Sequence, residues 1–181
     1  MNPSPVVLVL TVIGDDRPGL VGELSTAISA HQGNWLESSM AQLAGKFAGI
    51  VEVGVDSPNV AALSAALGQL TGLKVAIESA AGAGSARAGV ANTRRLKFAL
   101  VGHDRIGIVR EVSQVLANHA VNVESLETHV ASAPMSADVL FHAVAELTAA
   151  PDLDVAALTA ELERISNDLM VDITLDETNR A

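Results

Sequence analysis

The sequence is poor in the residues that several common kinds of binding site require. It contains no cysteine and no tyrosine, one tryptophan and three phenylalanines. Without cysteine the chain can form neither a disulfide bond nor a thiolate metal site, which fits a reducing compartment. With so few aromatic side chains it is also poorly equipped to stack nucleotide bases or sugars.

Basic residues are scarce as well. Eleven lysines and arginines stand against 21 aspartates and glutamates, for a formal net charge of −10. A surface of that sign repels a phosphate backbone, so we expect no direct contact with nucleic acid. The apolar run from Val6 to about Ile13 is too short to span a membrane, and no positive region precedes it as in a signal peptide. We therefore expect a cytoplasmic protein without a membrane partner.

What the sequence does contain is a duplicated segment. Residues 14–21, Gly-Asp-Asp-Arg-Pro-Gly-Leu-Val, return 88 positions later as residues 102–109, Gly-His-Asp-Arg-Ile-Gly-Ile-Val. Over the 21 positions 14–34, nine residues recur identically at that offset. A repeat defines the unit of folding. Here that unit is about half of the chain.

The repeat predicts two domains, at residues 1–80 and 94–181, joined by an alanine- and glycine-rich linker at 81–93. Each half shows the same order of elements, β-α-β-β-α-β. That order predicts the fold class α+β and, for each half, a ferredoxin-like unit: a four-stranded antiparallel sheet with two helices on one face. One such sheet leaves an open face and open edges, which favours a homodimer.

Hydrophobic patterning places the elements. Each half opens with an apolar strand, Val6 to Ile13 or Leu96 to Val101, that stops at a glycine and is followed by a helix. The hairpin strands are predicted at Asn34–Ala44, Phe47–Val55, Asn122–Ala131 and Asp138–Leu147, with Gly45-Lys46 as the tight turn of the first hairpin and a longer loop, 132–136, in the second. A second helix follows in each half. The closing strands show alternating apolar residues, at Leu73, Val75 and Ile77 and at Leu169, Val171, Ile173 and Leu175.

The repeated loop between the first strand and the first helix is the candidate binding site. A helix N-terminus carries unpaired N–H groups and a partial positive charge, both of which suit a carboxylate. Glycines there allow a small ligand to approach closely, and an aspartate could bind an ammonium group. The loop thus offers the two charges that an amino acid requires. The simpler interpretation is that the glycines form a tight turn, Asp16 caps the helix and Pro18 lies in its first turn. Repetition of the motif does not decide between the two.

The motif at 14–21, followed by Gly-Asn-Trp-Leu-Glu-Ser-Ser-Met at 33–40 and Leu-Ala-Gly-Lys-Phe-Ala-Gly at 43–49, resembles an ACT domain. The tandem pair more narrowly resembles the glycine cleavage system transcriptional repressor family, over nearly the whole chain and most strongly over residues 8–55. The resemblance implies a non-catalytic regulator of glycine and one-carbon metabolism, without a cofactor. It would bind a small amino acid, glycine or serine first, at an interface between paired domains. It would act through a regulatory partner such as a DNA-binding activator.

The resemblance also implies which residues bind the ligand. In the first copy they are Gly14, Asp16, Arg17, Pro18, Gly19, Leu20 and Asn34. In the second copy they are Gly102, Asp104, Arg105, Gly107, Ile108 and Asn122. Two departures leave the second site open: Ile106 stands where proline is usual, and His103 replaces the aspartate at position 15.

Other functions remain as alternatives. The chain could be an interaction module with a vestigial amino-acid site, or a regulatory subunit of a biosynthetic enzyme. An enzyme is not expected, because no catalytic triad spacing, P-loop or dinucleotide fingerprint is present.

Several single residues have two interpretations. A metal site would require three converging ligands, so His129 and His142, on neighbouring predicted strands, are expected to be ordinary residues of a sheet face. Glu23 and Glu111 repeat on the first helix outside its apolar stripe and are expected to be solvated. Trp35 either attaches the helix to the sheet, which we expect, or lines a ligand pocket.

Overall fold

The computed structural model describes residues 5–80, 93–132 and 138–177. The chain divides into two compact units, Met1–Ala86 and Arg87–Ala181, each with its own hydrophobic core. The division falls inside the predicted linker, of which only Thr93 is among the described residues. Most of the predicted loop at 132–136 also lies outside them. The domain boundaries and the flexible linker therefore stay predictions, and each unit is described by itself.

The first unit has the predicted β-α-β-β-α-β order. Its elements are β1 (Pro5–Asp15), α1 (Leu20–Ala30), β2 (Asn34–Leu43), β3 (Lys46–Asp56), α2 (Val60–Gly68) and β4 (Leu73–Ser79), with a short 3₁₀ segment, Ser57–Asn59, before α2. The strands pair antiparallel in the order β2-β3-β1-β4. The ferredoxin-like prediction is confirmed for this unit.

The second unit repeats this topology. Its elements are β5 (Arg94–His103), α3 (Ile108–Asn118), β6 (Asn122–Ser132), β7 (Val139–Ala149), α4 (Val155–Leu169) and β8 (Val171–Glu177). The strand order β6-β7-β5-β8 is the same as in the first unit. All of its strand pairs are antiparallel.

Alternation along the central strands explains the layered structure. In β1, Leu8, Leu10 and Val12 are almost fully buried beneath the helices. Residues of the other face, such as Ile13 and Ile50, are exposed. Since successive side chains of a strand point to opposite faces, one face of the sheet carries the core and the other is open. Each fully buried leucine contributes roughly 1.5–3 kcal/mol relative to an exposed one.

Two local predictions are wrong. The first hairpin turns at Ala44 and Gly45, with φ of 50° and 75°, and not at Gly45-Lys46. A two-residue turn of type I′ requires positive φ at both positions, so Lys46 is the first residue of β3. Leu169, assigned to the last strand, is the last residue of α4, because Met170 turns the chain with φ of 52° before β8 begins.

Candidate functional site

The repeated loop ends in a glycine with left-handed backbone geometry. Gly19 precedes α1 with φ of 95°, and Gly107 precedes α3 with φ of 102°. Only glycine adopts such angles without strain. The prediction that Asp16 caps the first helix is wrong: α1 begins at Leu20, and no side chain of the capping residue accepts a hydrogen bond from the first turn. The amides of that turn therefore lack a capping side chain.

The side chains of the first helical residues face inward. Leu20 and Ile108, both predicted to bind ligand, are 2% exposed. They belong to the two cores, so only their backbone groups can serve a ligand in the loop. Pro18 and Ile106 hold the same exposed place one residue before the glycine.

The first glycine of the motif belongs to the strand. A Cβ added to Gly14 would lie well inside contact distance of the carbonyl oxygen of Gly72. A Cβ added to Gly102 would lie 2.9 Å from the Cα of Val171. In both units the last strand begins against this glycine. The absence of a side chain at this glycine therefore allows the last strand of each sheet to pack against the backbone of the first.

The repeated arginine of the loop is ion-paired with the repeated glutamate of the helix. Arg17 donates from Nη1 to Oε1 of Glu23 at 2.6 Å and from Nη2 to Oε2 at 2.7 Å. Its Nη2 also reaches the carbonyl oxygen of Thr71 at 3.4 Å. In the second unit, Arg105 Nη2 lies 3.6 Å from Glu111 Oε2. Glu23 and Glu111 are partly exposed, but the expectation that they are merely solvated is wrong.

In the first unit, this ion pair shifts the pKa values of both side chains. The hydrogen bond from Arg17 lowers the pKa of the Glu23 carboxyl, against an opposing effect of desolvation. The same hydrogen bond raises the pKa of Arg17. The glutamate was missed as a partner, although its recurrence six residues after the arginine in both copies was a usable signal.

The repeated aspartates have exposed side chains. The backbone N–H of Asp16 donates to the carbonyl oxygen of Gly45, and that of Asp104 to the carbonyl oxygen of Val139, both at 3.0 Å. These bonds connect the first loop to the turn before β3 and the second loop to the first residue of β7. Neither carboxylate forms a hydrogen bond or an ion pair with the parts of the chain that the structure describes.

The predicted asparagines are not brought to the loop. Asn34 is in register with Gly54, which pairs with Val7 of β1. Gly14 lies seven residues further along β1, at roughly 3.3 Å per residue, or about 23 Å away. Asn122 stands in the equivalent place in the second unit, where its partner Thr148 pairs with Arg95. Within one unit, loop and asparagine occupy opposite ends of the sheet.

A charged depression beside the first loop was not predicted. It is lined by Asp15, Lys46 and Lys74 together with Ile13 and Gly14 and the turn before β4. Asp15 accepts a hydrogen bond from the Lys46 ammonium, and this bond lowers the pKa of the aspartate. The register of β1 against β3 could have revealed the pair, because Asp15 is directly opposite Lys46.

His129 and His142 are cross-strand partners whose rings stack with centroids 4.7 Å apart. No group of three histidine, aspartate or glutamate side chains within residues 5–80, 93–132 and 138–177 is arranged to hold a metal ion. Among the same residues, no helix has both the length and the apolar character needed to cross a membrane.

The fold and the loop together define a class: two ferredoxin-like units, each with a glycine-initiated helix after the first strand. Residues 7–78 match the family model of the ACT domain. The match covers the first unit, and the second unit repeats the fold of the first.

Two solved structures match nearly the whole length of the chain. An unknown protein from Galdieria sulphuraria is 29% identical, with a TM-score of 0.82, and the match covers 97% of this chain and 100% of that one. A candidate glycine cleavage system transcriptional repressor is 18% identical, with a TM-score of 0.72, covering 97% and 99% of the two chains. At that identity the second likeness concerns the fold alone. No protein of curated function matches the sequence.

Proposed function

We propose that this chain is a non-catalytic regulator that binds a small amino acid, glycine or serine first, at its repeated glycine loop. Binding alters its contacts with a regulatory protein, such as a DNA-binding activator in glycine and one-carbon metabolism. The observation that carries the proposal is the uncapped helix start behind a left-handed glycine, present in both units. The ACT match and the net charge of −10 support a sensor that acts through protein contacts and not on DNA.

The loop has a place for each charge of the ligand. The carboxylate of the ligand would accept hydrogen bonds from the first-turn amides of α1, where the helix dipole favours a negative charge. Its ammonium group would meet the exposed carboxylate of Asp16. Arg17 is already held by Glu23 at 2.6 Å, so it shapes the loop and does not serve as the free cation.

The distance between Gly14 in the loop and Asn34 suggests that the binding site includes two chains. Because Asn34 lies about 23 Å from Gly14 along its own sheet, we propose that it completes the loop of a second chain in a homodimer. A ligand bound between two chains can shift their arrangement, provided that it binds one arrangement better than the other.

Thermal unfolding with each of the common amino acids tests the binding. A ligand at 100 times its Kd raises the stability by about 2.7 kcal/mol. We expect a response to glycine or serine that the double variant Gly19→Val/Gly107→Val loses. Gly22→Ala is the control, since a Cβ there meets nothing within 4 Å. No response from the wild type would favour the interaction module, and a full response from the double variant would exclude the loop.

Mixed dimers test the second chain. In a Gly107→Val background, Gly19→Val and Asn34→Ala should each abolish the first-unit response. After the two variants are mixed in equal amounts, half of the dimers contain one chain of each kind. In such a dimer, one of the two sites combines an intact loop with an intact asparagine, so about a quarter of all sites recover. No recovery after mixing, with dimer exchange verified by mass spectrometry, would refute an intermolecular site. Tagged protein recovered from its host with an enzyme subunit and without a transcription factor would favour the alternative function.

A further inference from the structure

The second sheet ends in a long edge strand that is exposed on both faces. β6 (Asn122–Ser132) lies outermost in the order β6-β7-β5-β8 and has 11 residues. All of them except Ala131 are exposed. Strands in globular proteins most often have about 5–6 residues, and a long edge with outward backbone groups favours pairing with another strand. β6 is therefore a candidate interaction surface.

Apolar side chains cover the helix side of this edge. Leu126 and Val130 of β6 are 48% and 52% exposed. They pair with Ala145 and Phe141 of β7, which belong to the second core or pack against it, so both lie on the helix side of the sheet. Val109 of α3 is 45% exposed and lines one crevice together with Leu126 and Phe141. These side chains form one apolar patch, and contiguous patches mark interaction sites more often than isolated residues do.

The backbone groups of alternate residues of β6 point away from the sheet. The carbonyl oxygen of Val139, at the start of β7, accepts from the N–H of Asp104, so Val139 and every second residue after it bond to β5. The residues between them bond to β6, where His129 is one of the partners. Because successive residues of a strand direct their backbone groups to opposite edges, the outer edge is formed by Leu126, Thr128 and Val130.

One antiparallel register makes two copies of this edge complementary. With a two-fold axis at Thr128, Leu126 lies opposite the partner's Val130 on the helix side, where apolar surface meets apolar surface. On the open side, Glu127 lies opposite the partner's His129, whose ring can donate an N–H to the carboxylate. Each contact occurs twice, because the axis relates the two chains. The edge thus matches its own copy on both faces.

Two comparable edges lack this pattern. In the first unit, Ser38 and Gln42 of β2 take the places of the two apolar residues of β6, by strand register. The other edge strand of the second sheet, β8, carries Asp172 and Asp176 exposed on one face. Antiparallel pairing of two copies of β8 would bring these carboxylates together, which is unfavourable. Self-complementarity is therefore a property of β6 and is not shared by these edges.

We propose that β6 pairs antiparallel with β6 of a second copy of this chain, so that the second unit holds the homodimer together. The two four-stranded sheets then become one continuous sheet across the two-fold axis. The apolar patches of the two chains meet on its helix side. Hydrophobic burial supplies the affinity, and the side-chain pattern fixes the register.

This pairing deepens the proposed function and rests on it for the role of the asparagine. The second loop lies at the Ser132 end of β6, because Val139, which pairs with Ser132, accepts the hydrogen bond from Asp104. Ser132 is four residues from Thr128, and Asn122 is six residues from it in the other direction. Antiparallel pairing therefore brings the partner's Asn122 to the end of the sheet at which the loop lies.

The oligomeric state of the full chain tests the surface. Analytical ultracentrifugation of the wild type should give twice the chain mass of 18.6 kDa. Leu126→Ser/Val130→Gln gives β6 the residues of the first unit and should weaken the dimer by about 10-fold or more, because apolar burial is lost. Leu43→Ser/Ile50→Gln is the matched control: it removes side chains that are 77% and 54% exposed from the first sheet and should leave the dimer intact. Circular dichroism verifies that both variants fold.

Single cysteines test the register, since the chain has no cysteine of its own. At the axis, Thr128 and its copy form a hydrogen-bonded pair with Cα atoms about 5.5 Å apart, within the range of a disulfide. Thr128→Cys should therefore crosslink two chains under mild oxidation. Ser132→Cys is the control on the same strand. Its two copies would be separated by about eight residues, or about 26 Å, so they should not crosslink.

The outcomes separate the pairing from the proposed function. A monomeric wild type, a dimer unchanged by Leu126→Ser/Val130→Gln, or equal crosslinking at positions 128 and 132 would overturn the pairing. Loss of the dimer in the control variant would also overturn it, by placing the contact on the first unit. Thermal unfolding with glycine and serine is measured on the same samples. A dimer without any response would defeat the proposed function and leave the pairing, whereas a response in a monomeric wild type would defeat the pairing alone.

Discussion

Replacing Gly14 by alanine tests whether the first glycine of the motif is required by packing. Gly14 lies in β1, and its missing Cβ leaves room for the carbonyl oxygen of Gly72. That oxygen is a backbone atom just before β4, so it cannot rotate away as a side chain would. To accept a Cβ, the two strands must move apart at Leu73, which is buried in the core.

The cost follows from the overpacking of a closed interior. Forcing an extra carbon into a well-packed site costs about 1–3 kcal/mol. Taking about 2 kcal/mol and a slope of about 1.5 kcal/mol per molar urea, the unfolding midpoint of the first unit should fall by about 1.3 M. A loop glycine that merely faced a ligand would show no comparable loss in the absence of ligand.

The chain provides its own probe for this measurement. Its one tryptophan, Trp35, packs against the first core, so fluorescence during urea unfolding reports on that unit. Gly22→Ala in α1 is the control, because a Cβ there meets nothing within 4 Å. Alanine should stabilise that helix by about 0.8–1.0 kcal/mol. A Gly14→Ala midpoint equal to or above the wild-type midpoint would refute the packing argument.

Further predictions concern a cap, a turn and an ion pair. Asp154 accepts a hydrogen bond from the N–H of Ala157 at 3.0 Å. Asp154→Ala should therefore destabilise the second unit by about 1 kcal/mol, measured by urea unfolding followed by circular dichroism. Asp154→Asn should retain most of this stability, because asparagine also caps helices. Gly45 has φ of 75° with open space around it. Gly45→Ala should therefore cost about 1–2 kcal/mol, from backbone strain alone, in the Trp35 assay. Because Arg17 lowers the pKa of Glu23, the ion pair stabilises the fold above the unfolded-state pKa of the glutamate and is lost as pH falls through the lower folded-state value. Carbon-detected NMR titration should show this low pKa, and Arg17→Met should raise it; an unchanged value would contradict the pairing.

Periodicity was sufficient to predict the order of elements. Alternation in segments such as Leu8, Leu10 and Val12 and helical spacing in α1 depend only on local geometry, which burial on one face imposes directly on the sequence. The hairpin turn was misplaced by one residue because Ala44 adopts a positive φ that is uncommon outside glycine and asparagine. Tertiary twist outweighed local preference at that position.

The candidate site was less predictable, because its partners are set by register and not by spacing. The resemblance implied that Arg17 and Asn34 both contribute to ligand binding. The pairing of β2 with β3 instead places Asn34 at the far end of the sheet, and Glu23 takes the guanidinium. The Trp35 side chain packs against the core, as expected, and a ligand-lining role for it has no support in the contacts of the first unit.

The recurring residues of the motif can now be assigned to separate physical causes. The first glycine accommodates the last strand, the second provides a left-handed turn, and the arginine is paired with the repeated glutamate. These requirements belong to the fold and would recur without any ligand. They leave the repeated valines, Val21 and Val109, and the repeated aspartates, Asp16 and Asp104. The exposed carboxylates of the two aspartates have no hydrogen bond or ion pair among the residues that the structure describes. A ligand that presents a cation to the loop would explain that recurrence, so the case for amino-acid binding rests on these two side chains and the helix amides beside them.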